Sequence, residues 1–276
     1  MFELKKGVLY VVATPIGNLG DLSPRARDVL AGADRICAED TRHTRQMLSA
    51  LGLERPLLAL HEHNEDARVA QVLSYLQAGE SLALVSDAGT PLISDPGYRL
   101  VRGLRAAGVT VSPVPGPCAA IAALSVAGIA SDRFCFEGFL PHKASARRER
   151  LSALAAEPRT LVFYESAHRI EESLADMRAA FGDTREAVLA REISKLFETV
   201  LDGTLASIAG AVAADANQRK GEFVLVLAGA PEDGDAALRE GRRLYAKLSE
   251  VMKPSQAAKL AAELSGAPRK ALYGGE

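Results

Sequence analysis

The sequence predicts an α/β protein, two layered domains in series followed by a small all-helical segment. Three observations predict it. Short apolar runs of strand length alternate with helical patterns over most of the chain. The run Pro113-Val114-Pro115-Gly116-Pro117 breaks that alternation once, because three prolines and a glycine disfavour both helix and central strand. Before the C-terminus the strand signal stops and only helical patterns remain. The expected domains are 1–114, 115–232 and 233–276, and 276 residues suffice for two domains of ordinary size.

Each element has a local reason. Val8–Ala13 is an apolar run that reads as a buried strand. Ser23-Pro24 opens a helix, with Ser as N-cap and Pro at the first helical position. Arg35–Ala38 and Leu57–Leu60 are short strands on either side of a helix over Thr41–Leu51, and Asn64 reads as the N-cap of the next helix. Ser81–Val85 is another buried strand. Asp95-Pro96 repeats the cap-plus-proline start for a helix reaching Ala107, and Val109–Val114 closes the domain. In the second domain a helix over Cys118–Val126 precedes strands at Phe134–Phe139, Thr160–Tyr164, Ala187–Arg191 and Phe223–Ala228. Helices at Ala144–Ala156 and His168–Phe181 lie between them. The final helices are Glu240–Val251, Pro254–Leu264 and, after Gly266, one starting at Pro268. Short helices joined by a glycine turn and carrying basic residues suggest a helix-turn-helix, and a plain helical cap is the competing reading.

Composition narrows the function classes. The chain is 48% hydrophobic and 25% charged, a globular balance with no tryptophan. Cys37, Cys118 and Cys135 are widely spaced without a CxxC, which fits a reducing compartment. No apolar run is long enough to cross a bilayer and the N-terminus lacks a signal pattern, so a soluble, cytoplasmic protein with no membrane partner is expected. A net charge of −2 excludes binding nucleic acid by a global positive field. Local clusters do exist: His142-Lys143 leads into Arg147-Arg148-Glu149-Arg150, and Arg239, Arg242 and Arg243 lie near the C-terminus. Both can be solvated helix faces.

Two loops carry the strongest chemical signal. Ala13–Asp21 is a glycine-containing turn between a buried strand and a capped helix, where open α/β sheets bind ligands, though it is no GxGxxG fingerprint. Ser86–Gly97 packs small and turn-forming residues directly after a strand. Its glycines let backbone approach a ligand, its prolines fix the loop's shape, and Asp87 can accept hydrogen bonds from a ribose or an amino group. His61-Glu62-His63 invites a metal reading that the alternation of faces and the lack of an HExxH or CxxC partner count against, so no metal is expected. Asp40–Arg45, Tyr164–Arg169 and Arg191–Lys195 each mix acid, base and hydroxyl groups after a strand, as catalytic groups or as helix caps. A P-loop is absent and no Ser-His-Asp spacing stands out.

These segments, with Val114–Ala119, Phe134–Lys143, Phe163–Ile170 and Ala190–Thr199, resemble the tetrapyrrole methylase fold family, and more narrowly its branch that methylates ribosomal RNA. The match runs in order through both α/β domains and departs at Ala167, where the branch leads one to expect proline. The resemblance implies S-adenosylmethionine as cofactor, bound in a cleft between the two domains of a homodimer. It implies donor contacts at Pro15, Ile16, Gly17, Asp87, Gly89, Thr90, Pro91, Pro115, Gly116, Cys118, Tyr164, Gly221 and Glu222. The implied product is a 2′-O-methylated cytidine in the decoding region of small-subunit (16S) ribosomal RNA, with the small ribosomal subunit as partner. The helical C-terminus also resembles that branch but stops soon after Tyr273, which implies a clipped last helix.

A ribose hydroxyl is a poor nucleophile, and Glu165, at a strand end, is the leading candidate base, with Asp87 and Glu39 as competitors and positioning alone as a further option. On the same reading Lys143, Arg147, Arg148 and Arg150 meet RNA phosphates, and His168 and Arg169 orient the ribose or a phosphate. Two rivals stay open: methylation of a tetrapyrrole or a protein side chain by the same fold, and a ribosome-binding factor without turnover.

Overall fold

The computed structural model describes residues 4–61, 64–231 and 236–272. The chain divides into two compact units, Met1–Gly229 and Ala230–Glu276, and the first of them holds both sheets.

The first sheet is all parallel, in the order β3-β2-β4-β1-β5, from β1 (Val8–Val12), β2 (Arg35–Ala38), β3 (Leu57–Ala59), β4 (Leu82–Val85) and β5 (Thr110–Val114). The inner strands β1 and β4 are covered on both faces, which is why they read as continuous apolar runs, while the edge strands β3 and β5 are only partly buried. Val8, Tyr10 and Val12 pack with Val29 and Leu30 of α1 (Pro24–Gly32) and Leu48 of α2 (Thr41–Ala50). Leu9, Leu82 and Leu84 pack with Val72 and Leu76 of α3 (Glu65–Gln77) and Leu100 and Leu104 of α4 (Tyr98–Ala106). Because β1 and β4 are neighbours, the loops that follow them emerge side by side.

The second sheet has the order β6-β7-β10-β8-β9, from β6 (Phe134–Phe139), β7 (Thr160–Ser166), β8 (Glu186–Arg191), β9 (Thr199–Thr204) and β10 (Glu222–Leu227). Only β6 and β7 run parallel; the other pairs are antiparallel. Along β7 the alternation is strict. Leu161 and Phe163 join the core formed with α6 (Ala144–Leu154), α7 (Ile170–Phe181) and α8 (Leu205–Ala214), whereas Val162 and Tyr164 face α5 (Ala119–Val126).

Two elements escape the sequence, and two helix starts differ in detail from expectation. Strand β9 and helix α8 carry no distinct sequence signal: β9 is a half-exposed edge strand with Asp202 and Gly203 in it, and α8 is an apolar, alanine-rich run without a polar stripe. Asp95 and Pro96 do not start α4. Gly97, at φ 125°, turns the chain first, and the Glu65 carboxylate accepts from the backbone N–H of Arg99 at 2.8 Å and of Leu100 at 3.3 Å in the cap's place. Asn64 occupies the N-cap position of α3 as expected, but its side chain makes no capping bond and instead accepts from the His61 N–H at 3.0 Å and donates to the Ala59 carbonyl at 3.2 Å.

The second unit comprises α9 (Ala236–Ser249), α10 (Pro254–Ser265) and α11 (Arg269–Leu272). Gly266, at φ 74°, ends α10 in the left-handed conformation. A Cβ on Gly241 would lie 2.8 Å from Leu272, so a glycine lets α9 meet the end of the unit around Ala261, Ala267 and Leu272. Among the described residues no helix is long and apolar enough to cross a membrane.

Candidate active site

The loops after β1 and β4 are sewn together before they meet anything else. Thr14 and Gly89 exchange backbone hydrogen bonds at 2.8 and 3.0 Å, and the buried Thr14 hydroxyl donates to the Ser86 carbonyl at 3.3 Å. Gly89 sits at φ 79°, and a Cβ there would lie 3.2 Å from the Ile16 side chain. Any larger residue would be both strained and crowded. The proline turn closes on the same point: Thr90 donates to the Pro117 carbonyl at 2.9 Å, and a Cβ on Gly116 would lie 3.0 Å from that of Ala13.

The second sheet supplies the opposite wall. The Tyr164 hydroxyl accepts from the Ala120 N–H at 3.1 Å, tying β7 to the start of α5. The turn after β8 brings Glu192 and Lys195 to the wall, with Lys195 donating to Glu192 at 2.7 Å and to Glu222 at 2.8 Å. Its stem crosses Gly17, and Ser194 donates to Asp21, so this turn reaches the loop after β1. Leu92 and Ser94 in the loop after β4, and Glu192 and Ser194 in the turn after β8, all hold positive φ, between 52° and 74°. Strain of this kind, on the order of 1–3 kcal/mol per residue, persists where the surroundings dictate it, commonly at functional sites.

Between the walls lies a cavity of about 450 Å³ lined by Ile16, Gly89 and Thr90 on one side, Tyr164, Ile193 and Gly221 on the other, and the carboxylates Glu39, Asp87 and Asp95. Burial pushes Glu39 up to about 7, helped by the negative charges of Asp87, Asp95 and Asp40. Burial also raises Asp95 to about 6, against a hydrogen bond from Ser86 and with Asp87 adding to the rise. Asp87 accepts from the Asp40 N–H at 3.0 Å. Burial likewise pushes the Tyr164 phenol upward, so it stays neutral. The acidic groups favour a cationic ligand, and the volume suits a small molecule, since such pockets run from ~300 to ~1,000 Å³.

Residues 8–209 match the family described as Tetrapyrrole (Corrin/Porphyrin) Methylases. The chain belongs to this family. Residues 229–274 match the family described as RsmI C-terminal HTH domain. The chain is 65% identical over 269 residues to the Ribosomal RNA small subunit methyltransferase I of Xylella fastidiosa (strain Temecula1), covering 98% of each chain. It is 54% identical to the protein of the same name from Pseudomonas aeruginosa, covering 98% of this chain and 96% of the relative. Among solved structures, the methyltransferase CobJ shares the fold with a TM-score of 0.60 at 20% identity, over 81% of this chain and 95% of that one.

For this member of the tetrapyrrole methylases the structure sorts the expected residues. Ile16, Asp87, Gly89, Thr90, Cys118, Tyr164, Gly221 and Glu222 line the cavity, as does Glu39. Pro15, Gly17, Pro91, Pro115 and Gly116 do not line it, and Gly17 and Gly116 act as spacers under neighbouring segments. Glu165 also borders the cavity, but its carboxylate is engaged elsewhere. The alternation of β7 turns its side chain to the face opposite Tyr164, where it has no solvent exposure. There its carboxylate accepts from Arg169 at 2.7 Å, from the Ser166 N–H at 2.8 Å and from Ser173 at 2.6 Å. Arg169, expected at RNA, is held inside by that pair and by donation to the Leu140 carbonyl at 2.8 Å. Arg147 is likewise internal, 2% exposed and bound to Asp176 at 2.7 Å and Glu172 at 3.1 Å. Arg150 is half-exposed and pairs with Glu137, whereas Lys143, Arg148 and His168 are exposed.

Sequence reasoning missed Ile93, Ser94, Asp95, Phe139, Glu192, Ile193 and Lys195 as lining residues. Asp95 carried a capping signal instead, and Glu192 and Lys195 stood in a polar patch without an assigned role. Among the described residues no cluster could hold a metal ion; Glu62 and His63 of the rejected metal reading lie outside them.

Proposed function

We propose that the cleft binds S-adenosylmethionine and that the protein, a cytoplasmic homodimer, transfers its methyl group to the 2′-hydroxyl of a cytidine ribose in the decoding region of small-subunit (16S) ribosomal RNA. The near-full-length identity to proteins named Ribosomal RNA small subunit methyltransferase I supports the substrate. The single observation carrying the chemistry is the strand-end cavity with the Gly89-Thr90 backbone on one wall and Glu39, Asp87 and Asp95 around it. Backbone bared by Gly89 suits close approach of a ligand, and three carboxylates suit a donor bearing a sulfonium and an ammonium group.

Once bound, the donor supplies an electrophilic methyl on a positively charged sulfur. The rest falls to the chain. Asp87, half-buried beside the Gly89 loop, is suited to a ribose or amino group. Tyr164, neutral and fixed by Ala120, bounds the cavity with its ring. Glu39, held near neutrality, is best matched to receive the proton leaving the acceptor hydroxyl, because a general base works best with a pKa near the operating pH. The Glu165 carboxylate is fully enclosed and already accepts from three donors, Arg169 among them, which suits it to holding Arg169 rather than to taking a proton. Lys143, Arg148 and His168 remain as the exposed basic groups of the expected RNA surface.

Transfer of labelled methyl from S-adenosylmethionine to purified small subunits tests the reading. Label in 16S ribosomal RNA supports it. Label in a tetrapyrrole or a protein, or association with subunits without transfer, would replace it with one of the rivals.

A further inference from the structure

The edge strand β6 contains an irregularity with a chemical consequence. Its pairing with β7 runs Phe136 to Val162 and then Gly138 to Phe163, so Glu137 is an extra residue, a β-bulge. Simple alternation would send Phe139 to the same face as Cys135, toward α6 and α7. The bulge reverses this. Cys135 and Leu140 both pack into the α6–α7–α8 core, and Phe139 turns to the other face, its ring 5.6 Å from that of Tyr164 at 63°. Gly138 makes the bulge feasible: it holds φ 64°, and a Cβ there would lie 3.0 Å from the Ser94 hydroxyl, itself on a strained residue.

The outcome is a phenylalanine 53% exposed yet lining the cavity, beside Ile93, which is also exposed at 36%. Phe136 also meets Tyr164, with centroids 4.9 Å apart, so Tyr164 carries both rings, and of the three Phe139 is the exposed one. A large apolar ring left open by a bulge, a left-handed glycine and a strained serine is poorly explained by packing. A flat ligand stacked on its open side explains it.

We propose that Phe139 is the stacking platform for the nucleobase of the acceptor nucleotide. This rests on the ribosomal RNA reading and adds to it where the substrate's base sits. Single-stranded nucleotides are commonly held by base–aromatic stacking, which tolerates any base because every base has a π-face. Stacking the base at the mouth leaves its sugar between the mouth and the carboxylates deeper in.

The chain contains no tryptophan, so Phe139→Trp creates a unique fluorophore at the proposed contact. Four readouts decide the matter: tryptophan fluorescence on titration with small subunits, the same on titration with S-adenosylmethionine alone, calorimetric donor affinity, and methyl-transfer kinetics of Phe139→Trp, Phe139→Leu and Phe139→Ala. Quenching by small subunits is expected, with the donor alone silent. KM for subunits should rise roughly 5- to 100-fold in the leucine and alanine variants, be kept by tryptophan, and leave donor affinity unchanged. Quenching by the donor alone would assign the ring to the donor's adenine and overturn the proposal. So would wild-type KM in the alanine variant, or fluorescence that follows protein concentration alone, the mark of a contact between copies. If wild-type protein methylates no small subunits, the ribosomal RNA reading fails; if it does and these variants match it, only the stacking proposal fails.

Discussion

Replacing Glu165 by glutamine separates a structural carboxylate from a catalytic one. In the folded protein this side chain is fully enclosed and faces Arg169, whose own side chain is 11% exposed. The amide keeps the shape and removes the charge, leaving an enclosed guanidinium with the Leu140 carbonyl as its remaining strong acceptor and its Nε still without a partner. Breaking a buried pair from one side costs about 3–5 kcal/mol. At roughly 2–4 °C per kcal/mol for a unit of this size, the lower figure gives a drop in melting temperature of roughly 6–12 °C. Calorimetric unfolding of wild type, Glu165→Gln and the double variant Glu165→Gln/Arg169→Met checks this, and the double variant should recover part of the loss because no charge is then stranded. Turnover measured well below the transition should stay within a few-fold of wild type. An unchanged melting temperature with transfer slowed by roughly 10²–10⁴-fold would refute the reasoning and return Glu165 to the role of base.

Three further outcomes follow from the same geometry. Gly89→Val, which must force a β-branched residue to φ 79° against Ile16, should weaken donor binding by about tenfold or more in calorimetry. Glu39 and Asp95 have pKa values raised by burial to about 7 and about 6, so the ligand-free protein is stabilised at acid pH and loses that contribution as pH rises through these values. A cationic donor prefers the ionised acids, so its affinity should increase over the same window, and Asp95→Asn should flatten both dependences; an unchanged pH profile in that variant would remove Asp95 from the site. Arg147→Ala should lower the melting temperature, since it leaves the little-exposed Asp176 with only Arg148 at 3.8 Å, whereas glutamate at Lys143 and His168 should leave stability intact and reduce the salt dependence of small-subunit association by about one counterion per lost phosphate contact.

Much of the fold could be read from the chain because β1 and β4, the inner strands of the first sheet, are buried on both faces and appear as uninterrupted apolar runs. The loops after β1 and β4 stand out for a related reason: each sets glycine and proline directly after a buried strand, and residues of both line the cavity. What stayed hidden depends on which way a side chain points. Glu165 was placed correctly at a strand end, but its alternation with Tyr164 sends it to the α7 face. Arg147 and Arg148 look equivalent in sequence, and both meet Asp176, yet the turn of α6 buries Arg147 against it at 2.7 Å and leaves Arg148 exposed at 3.8 Å. Phe139 was counted as strand, and nothing local announces that Glu137 is an extra residue. Asp95 has the sequence signature of a cap, and nothing local shows that Glu65, on another helix, takes that place.

The central claim is tested most directly by the identity of the methylated nucleoside. Small subunits that lack the modification, incubated with the protein and labelled S-adenosylmethionine, yield 16S ribosomal RNA that can be digested completely and resolved by mass spectrometry. The account predicts one new nucleoside, 2′-O-methylcytidine, from a decoding-region fragment, formed by wild type and strongly reduced in Gly89→Val. A base-methylated nucleoside, label confined to protein, or no transfer at all to a substrate that the protein demonstrably binds would contradict it.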